Sequence, residues 1–353
     1  MRQICYFNLA TFSKKGGIEN FNKTFLQALN DLCIQSVSVS VYDKENKSEY
    51  ANITFKNFNT DKLAASLYVL SNIYNFDRLI LAHINLIPIA IIAKILNPKI
   101  KIYLSIYGIE VWKKISWIKR KFIEKFIKIF SISSYTTKLF KNMNNMNEKS
   151  VFYLAPGINL QTQHCSNNPY MLNCFNILSV TRLDKNDDYK GVDSVIKTIS
   201  FLIKKIPNLR YTIIGKGNDK ERLEKLANDL NVLQYIEFKG FVENIEPYYQ
   251  YCDIFILPSK GEGFGIVYIE AMKYKKPCIA CDEGGQTDVV LDNKTGYLCK
   301  YDDIECLGIK IIDLYKDEKK RKLLGENGYK YLLNNFTFEK FQKRLKDILN
   351  DSK

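Results

Sequence analysis

Strand-length apolar runs alternate with helix-length amphipathic segments along nearly the whole chain, and this alternation restricts its fold more than any other feature. The first series of runs falls near Ile4 to Asn8, Ser36 to Tyr42, Arg78 to Ala82, Lys101 to Ser105, Ile129 to Ser133 and Val151 to Leu154. A second follows at Phe175 to Val180, Arg210 to Ile214, Tyr235 to Lys239, Asp253 to Leu257 and Pro277 to Ala280. Strands buried on both faces read as continuous apolar runs, and their alternation with helices is the pattern of βα units on parallel sheets. Between the two series, Gln161 to Asn173 is rich in Asn and Gln, holds Pro169 and reads as a linker. With 353 residues the chain suits two domains. The expectation is an α/β protein of two facing Rossmann-like domains, 1–165 and 166–335, with a ligand cleft at the carboxyl ends of the strands. The last segment, 336–353, contains the amphipathic helix Phe336 to Leu349.

Composition excludes several classes. Apolar residues make up 46% and charged ones 25%, a globular balance, and no apolar run reaches the eighteen or so residues of a membrane span. The opening Met1-Arg2-Gln3-Ile4 leads into a strand pattern instead of a signal peptide, so a cytoplasmic protein is expected. Cys5, Cys33, Cys174, Cys252, Cys278, Cys281 and Cys299 lie in apolar or strand-like contexts and read as free thiols. Cys278 and Cys281 form one C-x-x-C, but a zinc site needs two further ligands and the chain has two histidines, so no metal site is expected. The net charge of +14, from 52 Lys and Arg against 38 Asp and Glu, favours anionic partners without naming them.

The segment Glu262-Gly-Phe-Gly-Ile-Val-Tyr-Ile-Glu270 carries the chemistry. It follows the run that ends at Leu257, Pro258 and Ser259, and it opens a helical stretch from Ile266 to Tyr274. A strand, a glycine loop and a helix in that order aim backbone N–H groups at an anion. Gly263 and Gly265 permit close backbone approach. Eight helical steps would separate the two carboxylates by about 12 Å, too far to flank one glycosidic bond, which needs roughly 5–9.5 Å. They suit two hydroxyl-bearing ends of one long ligand.

This segment, continued by Ala271-Met272 and the Gly284-Gly285 loop, resembles the signature of the retaining glycosyltransferases of family 4, the glycosyl transferases group 1. The resemblance implies the GT-B architecture, with a last helix crossing back to the first domain. It implies that Glu262 looks toward the transferred sugar and Glu270 holds the nucleotide ribose, with Gly263, Phe264, Gly265 and Ile266 around the donor. Gly16-Gly17 follows the first strand, opens a helix to about Leu32 and is similar to the family's N-terminal glycine loop. Arg182, and Lys190 ahead of Gly191, resemble the family's cation pair for the leaving diphosphate, with a longer spacer that carries Asp187 and Asp188. Those two adjacent carboxylates read as solvated.

Gly215-Lys216-Gly217 reads as a turn on the nucleotide side, and Phe241 and Val242 stand where the family contacts the base through its backbone. His83 ends a strand and reads either as a structural residue or, by the resemblance, as a sugar contact. Tyr107 occupies a position where many relatives carry His, and Thr287-Asp288 stand where many carry Pro and Glu.

The reaction these features imply is transfer of a sugar from a nucleotide diphosphate, UDP-, GDP- or ADP-linked, to an acceptor hydroxyl with retention. No metal or separate cofactor is called for, and surface polysaccharide or glycolipid assembly is the implied setting. Rival readings are an epimerase or phosphorylase on the same fold and a basic nucleic-acid-binding protein, which lacks a recognisable motif. Trp112 to Phe130 reads as one basic amphipathic helix, with Ile115, Ile118, Phe122, Phe126 and Ile129 as a core stripe. Its basic face, with Trp117 near it, is a candidate contact for an anionic membrane surface, which would make the protein peripheral.

Overall fold

The computed structural model describes residues 3–13, 16–44, 50–146, 151–161 and 165–350, with the side chain of Asp188 left out. The start at Met1 and Arg2, part of the segment read as a linker and the Asp188 carboxylate therefore lie outside the described residues. Two compact units emerge, Met1–Gly157 with Phe338–Lys353, and Ile158–Thr337. The border falls ahead of residue 165, where the sequence had suggested it, because the segment expected to be a linker packs on the second unit. Its Tyr170 is buried, donates from its hydroxyl to the Tyr248 carbonyl at 3.0 Å and sets its ring edge-on to Tyr248.

Among the described residues the first unit holds seven parallel strands, β1 (Gln3–Asn8), β2 (Ser36–Ser40), β3 (Ile53–Asn57), β4 (Phe76–Leu81), β5 (Lys101–Ile106), β6 (Ile127–Ser131) and β7 (Val151–Tyr153). The second holds six, β8 (Phe175–Val180), β9 (Leu209–Ile214), β10 (Ile236–Gly240), β11 (Ile254–Leu257), β12 (Cys278–Cys281) and β13 (Gly296–Cys299). The sheet orders are β3-β2-β1-β4-β5-β6-β7 and β10-β9-β8-β11-β12-β13. Both sheets thus run outward in two directions from a central pair, β1 with β4 and β8 with β11. Between such strands the crossovers diverge and leave a crevice beyond the carboxyl ends.

The helices are α1 (Gly17–Asp31), α2 (Lys62–Ser71), α3 (Ile87–Leu96), α4 (Trp117–Phe126), α5 (Ser134–Asn144), α6 (Val192–Leu202), α7 (Lys220–Asp229), α8 (Glu246–Tyr251), α9 (Ile266–Lys273), α10 (Ile304–Lys316), α11 (Glu318–Asn335) and α12 (Phe338–Asn350). In the final helix Phe341 is fully buried and meets the rings of Phe21 and Phe25 on α1 at 5.6 and 6.2 Å. Such burial is worth about 1.5–3 kcal/mol and fixes α12 to the first unit.

Two strands, β3 and β13, escaped the periodicity analysis. The first is an edge strand whose exposure alternates, so it lacks a continuous apolar run. The second is short and starts at Gly296, where a Cβ would come within 2.0 Å of the Cys278 carbonyl oxygen, so it must begin with glycine. Cys299, expected to be a free thiol, is disulfide-bonded to Cys306. The end of β13 and the first turn of α10 bring their Cα atoms to 5.9 Å, inside the range a bridge needs. Cys278 and Cys281 are buried on β12, and among the described residues no three His, Cys, Asp or Glu side chains cluster as metal ligands. Among the same residues no helix is long and apolar enough to cross a membrane.

The basic segment from Trp112 to Phe130 is not one helix. Only Trp117–Phe126 is helical, and Ile127 onward enters β6. Ile123 supplies its buried contact, while Ile118 and Phe126, expected in the core, are exposed.

Candidate functional site

The charged candidates Arg182, Lys190 and Glu262 lie beyond the ends of β8 and β11. Arg182 and Lys190 follow β8, and Glu262 lies in the turn after β11. Gly191, at φ +70°, passes so close to Pro258 that a Cβ would meet its carbonyl oxygen at 2.6 Å. The Lys260 N–H donates to the Tyr189 carbonyl at 2.8 Å. These backbone contacts carry Lys190 to Glu262, and its Nζ lies 2.6 Å from the Oε2 oxygen with the two side chains 14% and 21% exposed. Burial alone would lower the Lys190 pKa, but the Glu262 carboxylate, aided by Tyr189 and Asp187, outweighs it and raises the value.

Arg182 is exposed and pairs with Asp187 at 2.7 Å, off the direction of a good hydrogen bond. Asp187 is therefore not the solvated carboxylate expected from its polar surroundings. The loop folds back on itself and turns it toward the guanidinium, with little of the carboxylate left to solvent.

The turn carrying Glu262 is held from below by the loop after β12. The Glu262 backbone carbonyl accepts the Gly285 N–H at 2.6 Å, and Glu262 forms an isolated bridge with Gly284. A Cβ on Gly285 would stand 2.0 Å from the Gly263 carbonyl oxygen, so the two glycine loops cross backbone on backbone. Gln286 is fully buried and donates from Nε2 toward the carbonyls of Ser259, Cys281 and Glu283, at 2.9, 3.0 and 2.8 Å. Gly285 and Gln286 thus clamp the two loops from within.

Gly265, at φ +87°, is the residue before α9, and a Cβ there would strike the Tyr268 ring at 2.4 Å. Residues 262–265 form a turn, so the separation expected from eight helical steps does not apply. Phe264 is buried edge-on to Phe336, which leaves only its backbone for a ligand, whereas Ile266 is half-buried at the first position of α9.

On the same helix Glu270 is half-buried and accepts the buried Tyr249 hydroxyl at 2.8 Å. Burial pushes its carboxyl above the ordinary glutamate range, and Tyr249 and Lys273 pull it part of the way back. Tyr249 was not legible as a site residue, since an apolar-looking tyrosine in a helix gives no sign of where its hydroxyl ends.

Gly215, at φ +153°, lies against the Thr181 carbonyl, where a Cβ would fall at 1.7 Å. Its glycine is required by strand-end packing, whatever else it does. Beyond it Phe241 is exposed with Lys216 Nζ 5.6 Å from the ring centroid, and Val242 is half-buried.

In the first unit the candidates follow β1 and β4, again the central pair. Gly16 precedes α1 with no side-chain cap, and a Cβ on Gly17 would meet nothing within 4 Å. Asp43, which sequence reasoning missed, accepts the N–H groups of Thr11, Phe12 and Ser13 at 2.9, 3.0 and 2.8 Å and so anchors the loop that leads to these glycines. Burial would raise its pKa, but these donors hold it below the usual carboxylate range. His83 Nδ1 accepts the Asn85 N–H at 3.1 Å, which requires the ring proton of the neutral form to sit on Nε2. Burial and then the nearby Lys113 charge lower its pKa, favouring that neutral form. Tyr107 is buried against Phe21 with its hydroxyl 3.3 Å from Asn22 Oδ1, so it is a core residue here.

Residues 173–331 match the model of the family described as Glycosyl transferases group 1. An uncharacterized glycosyltransferase of Methanocaldococcus jannaschii is 27% identical over 343 residues, covering 92% of each chain. A GDP-mannose-dependent alpha-(1-6)-phosphatidylinositol monomannoside mannosyltransferase of Mycolicibacterium smegmatis is 29% identical over 170 residues, 46% of this chain and 44% of that protein. In fold the chain is similar to Anabaena HepE, solved in complex with UDP and glucose, at a TM-score of 0.83 and 16% identity over 99% of this chain and 100% of that one. The family match over residues 173–331, the full-length relative and the paired parallel sheets together support a glycosyltransferase of the group 1, family 4 type with the GT-B fold.

Proposed function

We propose that the chain transfers a glycosyl group from a nucleotide diphosphate sugar to a carbohydrate or lipid-linked hydroxyl with retention at the anomeric carbon, in surface polysaccharide or glycolipid assembly. The observation that carries this reading is the pairing of Lys190 with Glu262 at the point where the β8 and β11 crossovers diverge. A cation beside the start of α9 suits a diphosphate, and the adjacent carboxylate suits sugar hydroxyls. Glu270, fixed by Tyr249, is assigned to the ribose hydroxyls, and Phe241 and Val242 to the base.

In the reaction the bond from the anomeric carbon to the donor phosphate breaks, and the leaving phosphate keeps its electron pair. The acceptor oxygen bonds to the same face of that carbon, and its proton passes to a phosphate oxygen of the leaving group. Arg182 and Lys190 stabilise the charge that gathers there, in the role a divalent ion fills elsewhere. Gly16 and Gly17, with the Nε2–H of His83, are assigned to sugar hydroxyl or phosphate oxygens.

The UDP complex of HepE and the GDP-mannose dependence of the mycolicibacterial relative make UDP- and GDP-sugars the first donors to test. Each is screened, with ADP-sugars, for thermal stabilisation and for transfer with and without EDTA, and the product anomer is read by NMR. Transfer with retention that survives EDTA is the expected result. Donor altered with no acceptor present would mean an epimerase, and an inverted product would overturn the assigned stereochemistry.

A further inference from the structure

A groove of about 600 Å³ lies between α6 and α10 of the second unit and shares no residue with the candidate site. Two of its apolar side chains stand largely in water, Phe201 on α6 at 66% exposed and Ile309 on α10 at 57%. Between them the lining holds Gly308, inside α10. A glycine in a helix interior costs stability, yet a Cβ here would meet only Thr198 Cγ2, at an ordinary 3.7 Å. Packing within the chain therefore does not require this glycine; its missing side chain leaves room in the groove.

The two ends of the groove differ in charge. Ser194 donates from its hydroxyl to Asp302 Oδ1 at 2.7 Å just ahead of α10, and further along both helices Gly308 stands against Thr198, so α6 and α10 run in the same direction. Glu305, exposed in the first turn of α10, marks one end, and Lys205, exposed past the last turn of α6, marks the other. Lys197, the cation at the acidic end, lies 3.8 Å from Asp193 and 3.4 Å from Asp302, so that end stays acidic.

We propose that this groove is the surface through which two copies of the chain associate about a two-fold axis. Such a contact must be its own complement. Here both signs of charge are present at opposite ends, and a two-fold axis across the groove reverses one copy on the other, so each Lys205 meets the partner's Glu305. Both shapes are present as well, because the projecting Phe201 can enter the recess that Gly308 leaves in the other copy. A small apolar ligand would fill the recess but leave Phe201 and Ile309 largely in water. A partner carrying one sign of charge would match one end and oppose the other. The proposal concerns assembly and does not depend on donor, acceptor or stereochemistry.

Sedimentation velocity of the full chain over a concentration series tests it, and a monomer–dimer equilibrium is expected. Phe201→Ser, at an exposed position, should weaken association by at least roughly tenfold and leave the melting temperature of the dilute monomer unchanged. Lys205→Glu opposes carboxylates at both ends of the dimer, and Glu305→Lys opposes ammonium groups, so each variant alone should stay monomeric where the parent associates. An equimolar mixture of these two variants restores both opposite-sign pairs and should associate again. Mixing cannot repair a misfolded chain, so recovery reports the contact itself. A parent protein that is monomeric at every concentration overturns the proposal, including one that takes up a long-chain fatty acid in the groove instead. So does a dimer indifferent to Phe201→Ser, or a mixture no more associated than its components.

Discussion

Lys190 Nζ lies 2.6 Å from Glu262 Oε2 and thereby ties the loop after β8 to the turn after β11. Each charge is largely withdrawn from water, so each depends on the other. Lys190→Ala should cost about 1–3 kcal/mol of stability through the stranded Glu262 carboxylate, and should lower turnover as well. The raised Lys190 pKa stabilises the fold fully below about 10.4, and this contribution is lost only as pH rises through the folded value, so it is intact at neutral pH. Glu262→Gln frees the ammonium group for phosphate. UDP or GDP should then bind as tightly or more tightly by calorimetry while transfer falls, and a matching loss of both would break the division of roles.

The Tyr249 hydroxyl should act on nucleotides only through Glu270. Glu270→Ala should weaken donor binding by roughly 1.5–3 kcal/mol, and Tyr249→Phe by less. In the double variant the Tyr249 effect should vanish. Because burial raises the Glu270 pKa, nucleotide affinity should fall on acidification at a pH above the ordinary glutamate value of about 4.3. Removing the Tyr249 donor moves that loss to still higher pH. A pH profile of Kd for the parent and Tyr249→Phe decides it, and coincident profiles would leave Tyr249 as a packing residue.

Gly17 and Gly285 separate function from structure. Gly17→Ala meets nothing within 4 Å and lies in the first turn of α1, so it should leave stability unchanged or raise it by up to about 1 kcal/mol. If its backbone faces a substrate, turnover should nevertheless fall. Gly285→Ala forces the Gly263 backbone away, and thermal unfolding should show the damage before any assay does.

Asp43 should confer acid sensitivity. Its folded pKa is depressed, so its stabilisation is present above the unfolded value of about 3.9 and is lost as pH falls toward the folded value. Asp43→Ala should lower stability by about 1–3 kcal/mol at neutral pH and flatten the acid limb of a denaturation profile.

Arg182→Ala should reduce turnover more than donor affinity, since diphosphate charge gathers as the bond breaks. Asp187→Asn should leave the guanidinium unpaired and change the donor KM without abolishing transfer. An Asp187→Asn enzyme with unaltered KM would show that the pair does not regulate the cation.

Much of this protein follows from local pattern. The apolar runs located eleven of the strands because a buried parallel strand is apolar on both faces, and the glycines marked the turns because positive φ and close backbone approach admit few other residues. The spacing of Glu262 and Glu270 and the cations at 182 and 190 were legible because each pair lies within a single strand, loop and helix unit. Tertiary structure alone decided the rest. Strand order, and with it the divergence between β8 and β11 that makes Lys190 and Glu262 neighbours, depends on pairings between residues far apart in sequence. Asp43, Tyr249 and Gln286 act on residues 30, 21 and 27 positions away, a relation that no local spacing encodes. The exposure of Ile118 belongs with these, since helical periodicity fixes which residues share a face but not whether the fold supplies anything to cover it.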